Sequence, residues 1–190
     1  MRVRQKHEME ESKVELKILD FIQTHFRTIP GDYIMIFLST LGNAGLMWIV
    51  LTAILICVKK TRKTGYMAAG ALVTEAVLCN LFLKILIARQ RPFDANPVIE
   101  LLVAKPGDYS FPSGHTSAAF AVITVLFLAG NKKLGLIFGA VGVGIAFSRL
   151  YLYVHYPTDV LGGFIVGVLS GVMAKVFYDR LSAYRNREKM

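Results

Sequence analysis

Five apolar runs, over residues 33–58, 66–88, 116–130, 134–151 and 158–178, take up most of this 190-residue chain and are separated by short polar segments. In lipid every backbone N–H and C=O must find a partner inside the protein, which leaves only helices and closed barrels. A helix needs about 20 residues to cross the hydrocarbon core and a barrel strand about 10, so runs of this length predict helices. The first, second and fifth are long enough to cross alone; the third and fourth are shorter and must borrow flanking residues. The predicted fold is all-α, an integral membrane helical bundle of about five transmembrane helices. A hydrophobic content of 54% and a mean hydropathy of +0.50 exclude an ordinary soluble domain. The length leaves room for one membrane domain.

Ahead of the first run, Val14, Ile18, Ile22, Phe26 and Ile29 recur at helical spacing, while Lys13, Lys17, Asp20 and Arg27 point elsewhere. This predicts an N-terminal amphipathic helix lying at the membrane interface. The chain divides into a tail and interfacial helix (1–30), a membrane-embedded domain (31–180) and a basic tail (181–190). No charged segment leading into a short apolar stretch and cleavage site marks the N-terminus, so insertion is expected to rest on the internal runs. Cys57 and Cys79 fall inside apolar runs and imply no disulfide framework.

The formal charge of +9 does not read as nucleic-acid binding, because the basic residues collect at the ends of apolar runs without an aromatic-basic face. Lys59, Lys60, Arg62 and Lys63 fill one connection, Lys132 and Lys133 another, and Arg180, Arg185, Arg187 and Lys189 the tail. The positive-inside rule assigns those three segments to the cytoplasm. Five crossings then place the connections around residues 89–111 and 151–157 on the outer side, together with the N-terminus. Gly163, Gly167 and Gly171, and likewise Gly135 and Gly139, are spaced for close helix packing. The outer connection holds Pro92, Pro97 and Pro106; a short interfacial helix over 98–104 and a lid beside a site are expected there.

Three polar clusters break the oily pattern, all on the predicted outer face. In the first, Lys84, Arg89 and Arg91 gather near the end of the second run, where Pro92 is expected to stop the helix. Arg91 suits forked contact with phosphate oxygens and Lys84 acts as a point charge; a snorkelling Lys84 and an Arg89 facing headgroups are the plainer alternatives. In the second, Pro112-Ser113-Gly114-His115 precedes the third run, so Ser113 reads as an N-cap and the Gly114 and His115 amides as unpaired donors that cradle an anion. In the third, Ser148-Arg149 is followed by His155, by Pro157 as a first helical residue, and by Asp159 in the first turn. From there Asp159 can reach back to His155 and fix its tautomer, or merely complement the helix dipole. Cations, two imidazoles and a carboxylate suit phosphoryl transfer through a histidine nucleophile.

The series Lys84, six residues, Arg91-Pro92; Pro112-Ser113-Gly114-His115; and Ser148-Arg149, five residues, His155, three residues, Asp159 resembles the type 2 phosphatidic acid phosphatase superfamily, with each motif present and in order. The resemblance implies a metal-independent membrane lipid phosphatase with a phosphohistidine intermediate and no cofactor. It casts His155 as nucleophile, Asp159 as its partner, His115 as the acid for the leaving group, and Lys84, Arg91, Ser113, Gly114 and Arg149 as phosphate binders. A lipid phosphate would come from the bilayer, with undecaprenyl diphosphate first choice and phosphatidylglycerophosphate, phosphatidic acid or diacylglycerol diphosphate as alternatives. A non-hydrolytic lipid-phosphate binding or transport protein is the rival of another class. The residues assign no oligomeric state. The outer carboxylates Asp94, Glu100, Asp108 and Asp159 form no obvious metal-binding constellation. Glu75, nine residues before Lys84, falls on the opposite face of an α-helix and reads as a hydrogen-bonded structural group. Asn80 shares the face of Lys84, Asn43 reads as an interhelical hydrogen-bonding residue, and Trp48 as packing.

Overall fold

The structure, a computed structural model, describes the backbone of residues 2–188 and the side chains of residues 13–188. The described residues form nine α-helices and no strand. Helix α1 (Arg2–Phe26) lies across one end of the bundle. α2 (Ile29–Leu41) and α3 (Leu46–Cys57) are two halves of the first crossing, bent by 47°. The second crossing runs from α4 (Arg62–Ala76) through a π-helical segment, Val77–Leu83, into α5 (Lys84–Ile87), and the short α6 (Pro92–Ala95) follows. α7 (Gly114–Leu128), α8 (Lys132–Tyr151) and α9 (Pro157–Arg187) complete the bundle.

By length and composition the stretches Arg62–Ala95, Lys132–Tyr151 and Pro157–Arg187 are each able to cross a membrane, and the bent pair adds a fourth. The fourth apolar run, 134–151, reaches 20 residues by taking in the flanking Lys132 and Lys133, as expected. The fifth crossing rests on α7, whose 15 residues rise only about 22 Å against a core of about 30 Å. α7 is the central helix, with Ala119, Ala121, Val122, Val125 and Leu126 fully buried. The large exposed side chains, among them Ile54, Val73, Phe82, Leu86, Val143, Leu161 and Phe177, sit on outward helix faces, the surface that hydrocarbon solvates.

Lipid gives apolar helices no hydrophobic reason to associate, so contact must come from close packing. The α7–α9 crossing shows how. A Cβ on Gly163 or Gly167 would stand 2.5 Å from the carbonyl oxygen of Ser113 or Ser117, and one on Gly171 would stand 2.7 Å from Thr124 Cβ. Backbone against backbone is the result. Gly135 presses on Phe127, but Gly139 faces open space, so the predicted pair on α8 is only half used.

Two departures from regular helix shape the site. Between α2 and α3 the chain turns through Ala44 and Gly45, both at positive φ, a conformation that costs glycine little; Asn43 is thereby released from the helix ladder. In the second crossing the π segment sets a five-residue step. Glu75 bonds Ser117 of α7, the Cys79 thiol faces the carbonyl of Pro112, and Lys84 approaches Gly114. Positions 75, 79 and 84 thus share one face toward α7. The expected opposition of Glu75 and Lys84 is overturned, because the π-bulge inserts one residue into the α-helical count.

Three local expectations also change. The helix ends at Ile87, where Ala88 turns to φ 47°, and Pro92 opens α6 at its first turn instead of stopping a helix. Residues 98–104 contain no helix. On α1 the buried stripe is Glu15, Leu19 and Ile22, whereas Val14, Ile18, Phe26 and the nearby Ile29 are exposed.

Candidate active site

The elements converge at one end of the bundle, and hydrogen bonds to backbone carbonyls pin the clusters together. Ser113 N donates to Asp159 O over 2.9 Å, tying the start of α7 to the first turn of α9. Arg91 Nη1 donates to Val154 O over 2.7 Å, tying the end of the second crossing to the same turn. His155 N and Val154 N donate to Arg149 O, closing the end of α8. Residues far apart in sequence thereby surround one small volume.

Pro157 takes the first position of α9, its fixed φ suiting a helix start. Asp159, at the third position, is fully buried and receives the Tyr156 amide over 2.8 Å and the Ser110 hydroxyl over 2.5 Å on Oδ2. The same oxygen lies 3.5 Å from His155 Nδ1. The carboxylate that caps α9 thus also faces the imidazole as a charge, while Nδ1 has no hydrogen-bond partner among the described residues. On the other side of the ring, His155 Nε2 lies 3.3 Å from Arg91 Nη1. Burial pushes the His155 imidazole down to about 4, although Asp159 works the other way. It is neutral at physiological pH, with a lone pair on the nitrogen that faces the cations.

Ser113 is the N-cap of α7, as expected, and is fully buried; its hydroxyl accepts from Thr116 and makes no capping bond to the backbone. A Cβ at Gly114 would stand 3.8 Å from Lys84 Nζ and 3.5 Å from Asn80 Oδ1, so the glycine gives the lysine and amide close access to the helix start. His115 Nε2 lies 3.0 Å from Asn43 Oδ1, the residue freed by the break between α2 and α3. Gly42 presses on the same ring, its virtual Cβ 2.6 Å from His115 Cδ2. Lys84, Arg149 and His155 are the ionisable neighbours of His115. Arg149 is buried, bonds the Ser39 hydroxyl through Nη1, and leaves its Nε unpartnered among the described residues. All eight predicted site residues lie at this end.

Sequence reasoning missed three contributors. Asp108 pairs with both Lys84 and Arg91, the latter at 2.5 Å, and Arg91 Nε donates to its backbone carbonyl over 2.8 Å. Those two cations hold its carboxyl down at about 2 against the opposing effect of burial. Its carboxylate bridges the charged ends of these two side chains. Arg89, read as one of the gathered cations with headgroup contact as the plainer alternative, bonds Asp159 Oδ1 over 2.7 Å and Glu15 of α1. Asp108 stood among the outer carboxylates in the sequence, but no spacing tied it to Lys84 or Arg91, and nothing local marked Glu15. Beside the cluster a cleft of about 740 Å³ is lined by Asn80, Lys84, Ile85, Arg91, Lys105 and Tyr109, among others. No group of three or more His, Cys, Asp or Glu able to hold a metal occurs among the described residues.

Residues 64–182 match the family model described as the PAP2 superfamily. The chain belongs to the PAP2 superfamily. The matched region contains each of the three clusters. An undecaprenyl-diphosphatase of Sulfolobus acidocaldarius is 37% identical over 156 residues, covering 81% of this chain and 72% of that protein. The undecaprenyl-diphosphatase BcrC of Bacillus subtilis is 31% identical over 153 residues, covering 80% and 78%. Among solved PAP2 structures, the transmembrane PAP2-type phosphatidylglycerolphosphate phosphatase of Bacillus subtilis superposes with a TM-score of 0.70 at 30% identity, covering 88% of this chain and 86% of that one.

Proposed function

We propose that this PAP2 protein is a multi-pass membrane hydrolase that removes phosphate from a lipid phosphate or diphosphate through a phosphohistidine, without a metal. The observation that carries the reading is the two-sided environment of His155: a carboxylate at Nδ1 and an arginine at Nε2, with the Ser113–His115 turn bonded to the same carboxylate's backbone.

In the first step Nε2 attacks the terminal phosphorus; the new P–N bond forms as the bond to the leaving oxygen breaks. His115 donates a proton to that oxygen. Lys84, Arg91, Arg149 and the Ser113–Gly114 turn carry the phosphoryl oxygens, and Asp159 stabilises the imidazolium side. In the second step water attacks phosphorus, gives a proton to His115, and the P–N bond breaks to release inorganic phosphate. Asn43 orients the His115 ring throughout.

Undecaprenyl diphosphate is the preferred substrate, supported by the names of the Sulfolobus and Bacillus relatives; the leaving group is then the lipid monophosphate. Phosphatidylglycerophosphate is the second reading, supported by the superposed Bacillus phosphatase. The protein resides in the cell membrane with the site on the extracytoplasmic face, as the basic connections at Lys59–Lys63 and Lys132–Lys133 imply. Incubating the detergent-purified chain with equal concentrations of undecaprenyl diphosphate, phosphatidylglycerophosphate, phosphatidic acid and diacylglycerol diphosphate, and measuring released phosphate in excess chelator, tests the proposal. Fastest release from undecaprenyl diphosphate is expected. Release from none of the four, or only on adding magnesium, contradicts it.

A further inference from the structure

Asp159 divides its two oxygens between two tasks. Oδ2 faces His155, while Oδ1 accepts from Arg89 Nη1 over 2.7 Å. Arg89 also reaches Thr158 Oγ1 over 2.7 Å, lies 4.0 Å over the Tyr156 ring, and bonds Glu15 Oε2. Glu15 Oε1 in turn accepts from the Thr158 amide at 3.0 Å and hydroxyl at 2.7 Å. Glu15 is 7% exposed and stands in the same buried stripe of α1 as Leu19 and Ile22. It lies outside the matched PAP2 region, and Arg89 belongs to none of the three motifs.

We propose that Glu15 and Arg89 are positioning residues for His155, acting through Asp159, so that α1 is a working part of the catalytic centre as well as an interfacial helix. A fully buried carboxylate with no cation beside it takes up a proton rather than remain charged. A protonated Asp159 cannot stabilise the imidazolium as His155 attacks. Arg89 prevents this and, by holding Oδ1, stops the carboxylate from rotating Oδ2 away from the ring. A lone arginine, however, would cancel the charge it protects. Glu15 answers that: two carboxylates and one guanidinium leave the cluster with one net negative charge directed at His155. The remaining ionisable groups facing the ring are Arg91, Arg149 and His115, with Asp108 behind Arg91 and Tyr156 beside Arg89.

The inference rests on His155 being the nucleophile, and the test separates the two. Phosphate release from undecaprenyl diphosphate is measured across acid pH for the full-length chain, Glu15→Gln, Glu15→Asp, Arg89→Lys and His155→Ala. Glu15→Gln keeps the shape and removes the charge, which leaves the cluster neutral and His155 less basic. Its kcat is expected to fall about tenfold, the lower end for losing the outer partner of an oriented histidine, with KM unchanged and the acid limb of kcat/KM moved to lower pH. Glu15→Asp, which retains the charge, restores the limb. Arg89→Lys keeps the charge and loses the fork, so kcat falls while the limb stays. Wild-type kcat in Glu15→Gln, or a loss with the acid limb unmoved, overturns the inference while a dead His155→Ala leaves the nucleophile in place. Turnover persisting in His155→Ala overturns the nucleophile itself.

Discussion

At the scale of single residues, one carboxylate offsets part of the positive charge of the cation cluster. Asp108, its carboxyl held down at about 2 by Lys84 and Arg91, lies on both cations, so a phosphate bound there in the proposed mechanism would have to displace it. Asp108→Asn should lower the inhibition constant for inorganic phosphate roughly fivefold, as about 1 kcal/mol for a part-exposed ion pair implies. Weaker inhibition in that variant would mean that Asp108 orients the cations instead of competing for them. The neutral His155, pushed down to about 4 by burial, fixes the sign of the acid limb: as pH falls through its pKa the ring gains a proton, Nε2 loses its lone pair, and kcat/KM falls. A bound anion beside the ring favours the protonated form, so the limb for kcat should lie above that for kcat/KM. A pH–rate profile in which activity rises toward pH 4 would contradict the assignment. The motif residues were legible because chemistry demands those side chains at those spacings. The pairings of Asp108, Arg89 and Glu15 were not, because they join charges that meet only after folding.

At the scale of elements, irregular geometry carries the site. The π segment before Lys84 turns Glu75, Cys79 and Lys84 toward α7. Deleting Phe82, which faces outward at 66% exposure, restores the α-helical count and rotates Lys84 by about 100°. Activity should fall to background while the purified variant keeps its helical circular dichroism; retained turnover would show that the bulge is incidental. Gly167→Leu forces a side chain against the Ser117 carbonyl, 2.5 Å from the virtual Cβ. Overpacking of this kind costs about 1–3 kcal/mol, read as a lower unfolding midpoint in detergent. The glycine register on α9 was readable in advance since packing in lipid selects it; the π-bulge was not, because its seven residues, Val77–Leu83, are as apolar as any regular span. The bend between α2 and α3 hides likewise in a run that reads as continuous until Ala44 and Gly45 turn to positive φ.

At the scale of the whole molecule, the order of apolar runs specifies an all-α bundle, and the clusters meet because successive crossings return them to one end. Helix α1 joins them there, held by the Tyr153 hydroxyl on Asp20 at 2.7 Å and by Gln23 on the Tyr151 carbonyl at 2.6 Å. The amphipathic pattern foretold a surface helix but not its docking, since the exposed stripe, Val14–Ile18–Phe26, is the more hydrophobic one. In a Cys57→Ser, Cys79→Ser background, a cysteine at Lys105 should react with a membrane-impermeant thiol reagent in intact cells and one at Lys60 should not; the reverse labelling would invert the topology. The proposed mechanism requires a bond between phosphorus and His155. Rapid acid-free quenching of the purified chain with terminally ³²P-labelled undecaprenyl diphosphate, followed by peptide mapping, should find acid-labile, base-stable label on the peptide carrying His155 and none in His155→Ala. Label on another residue, or full turnover by the alanine variant, would contradict it.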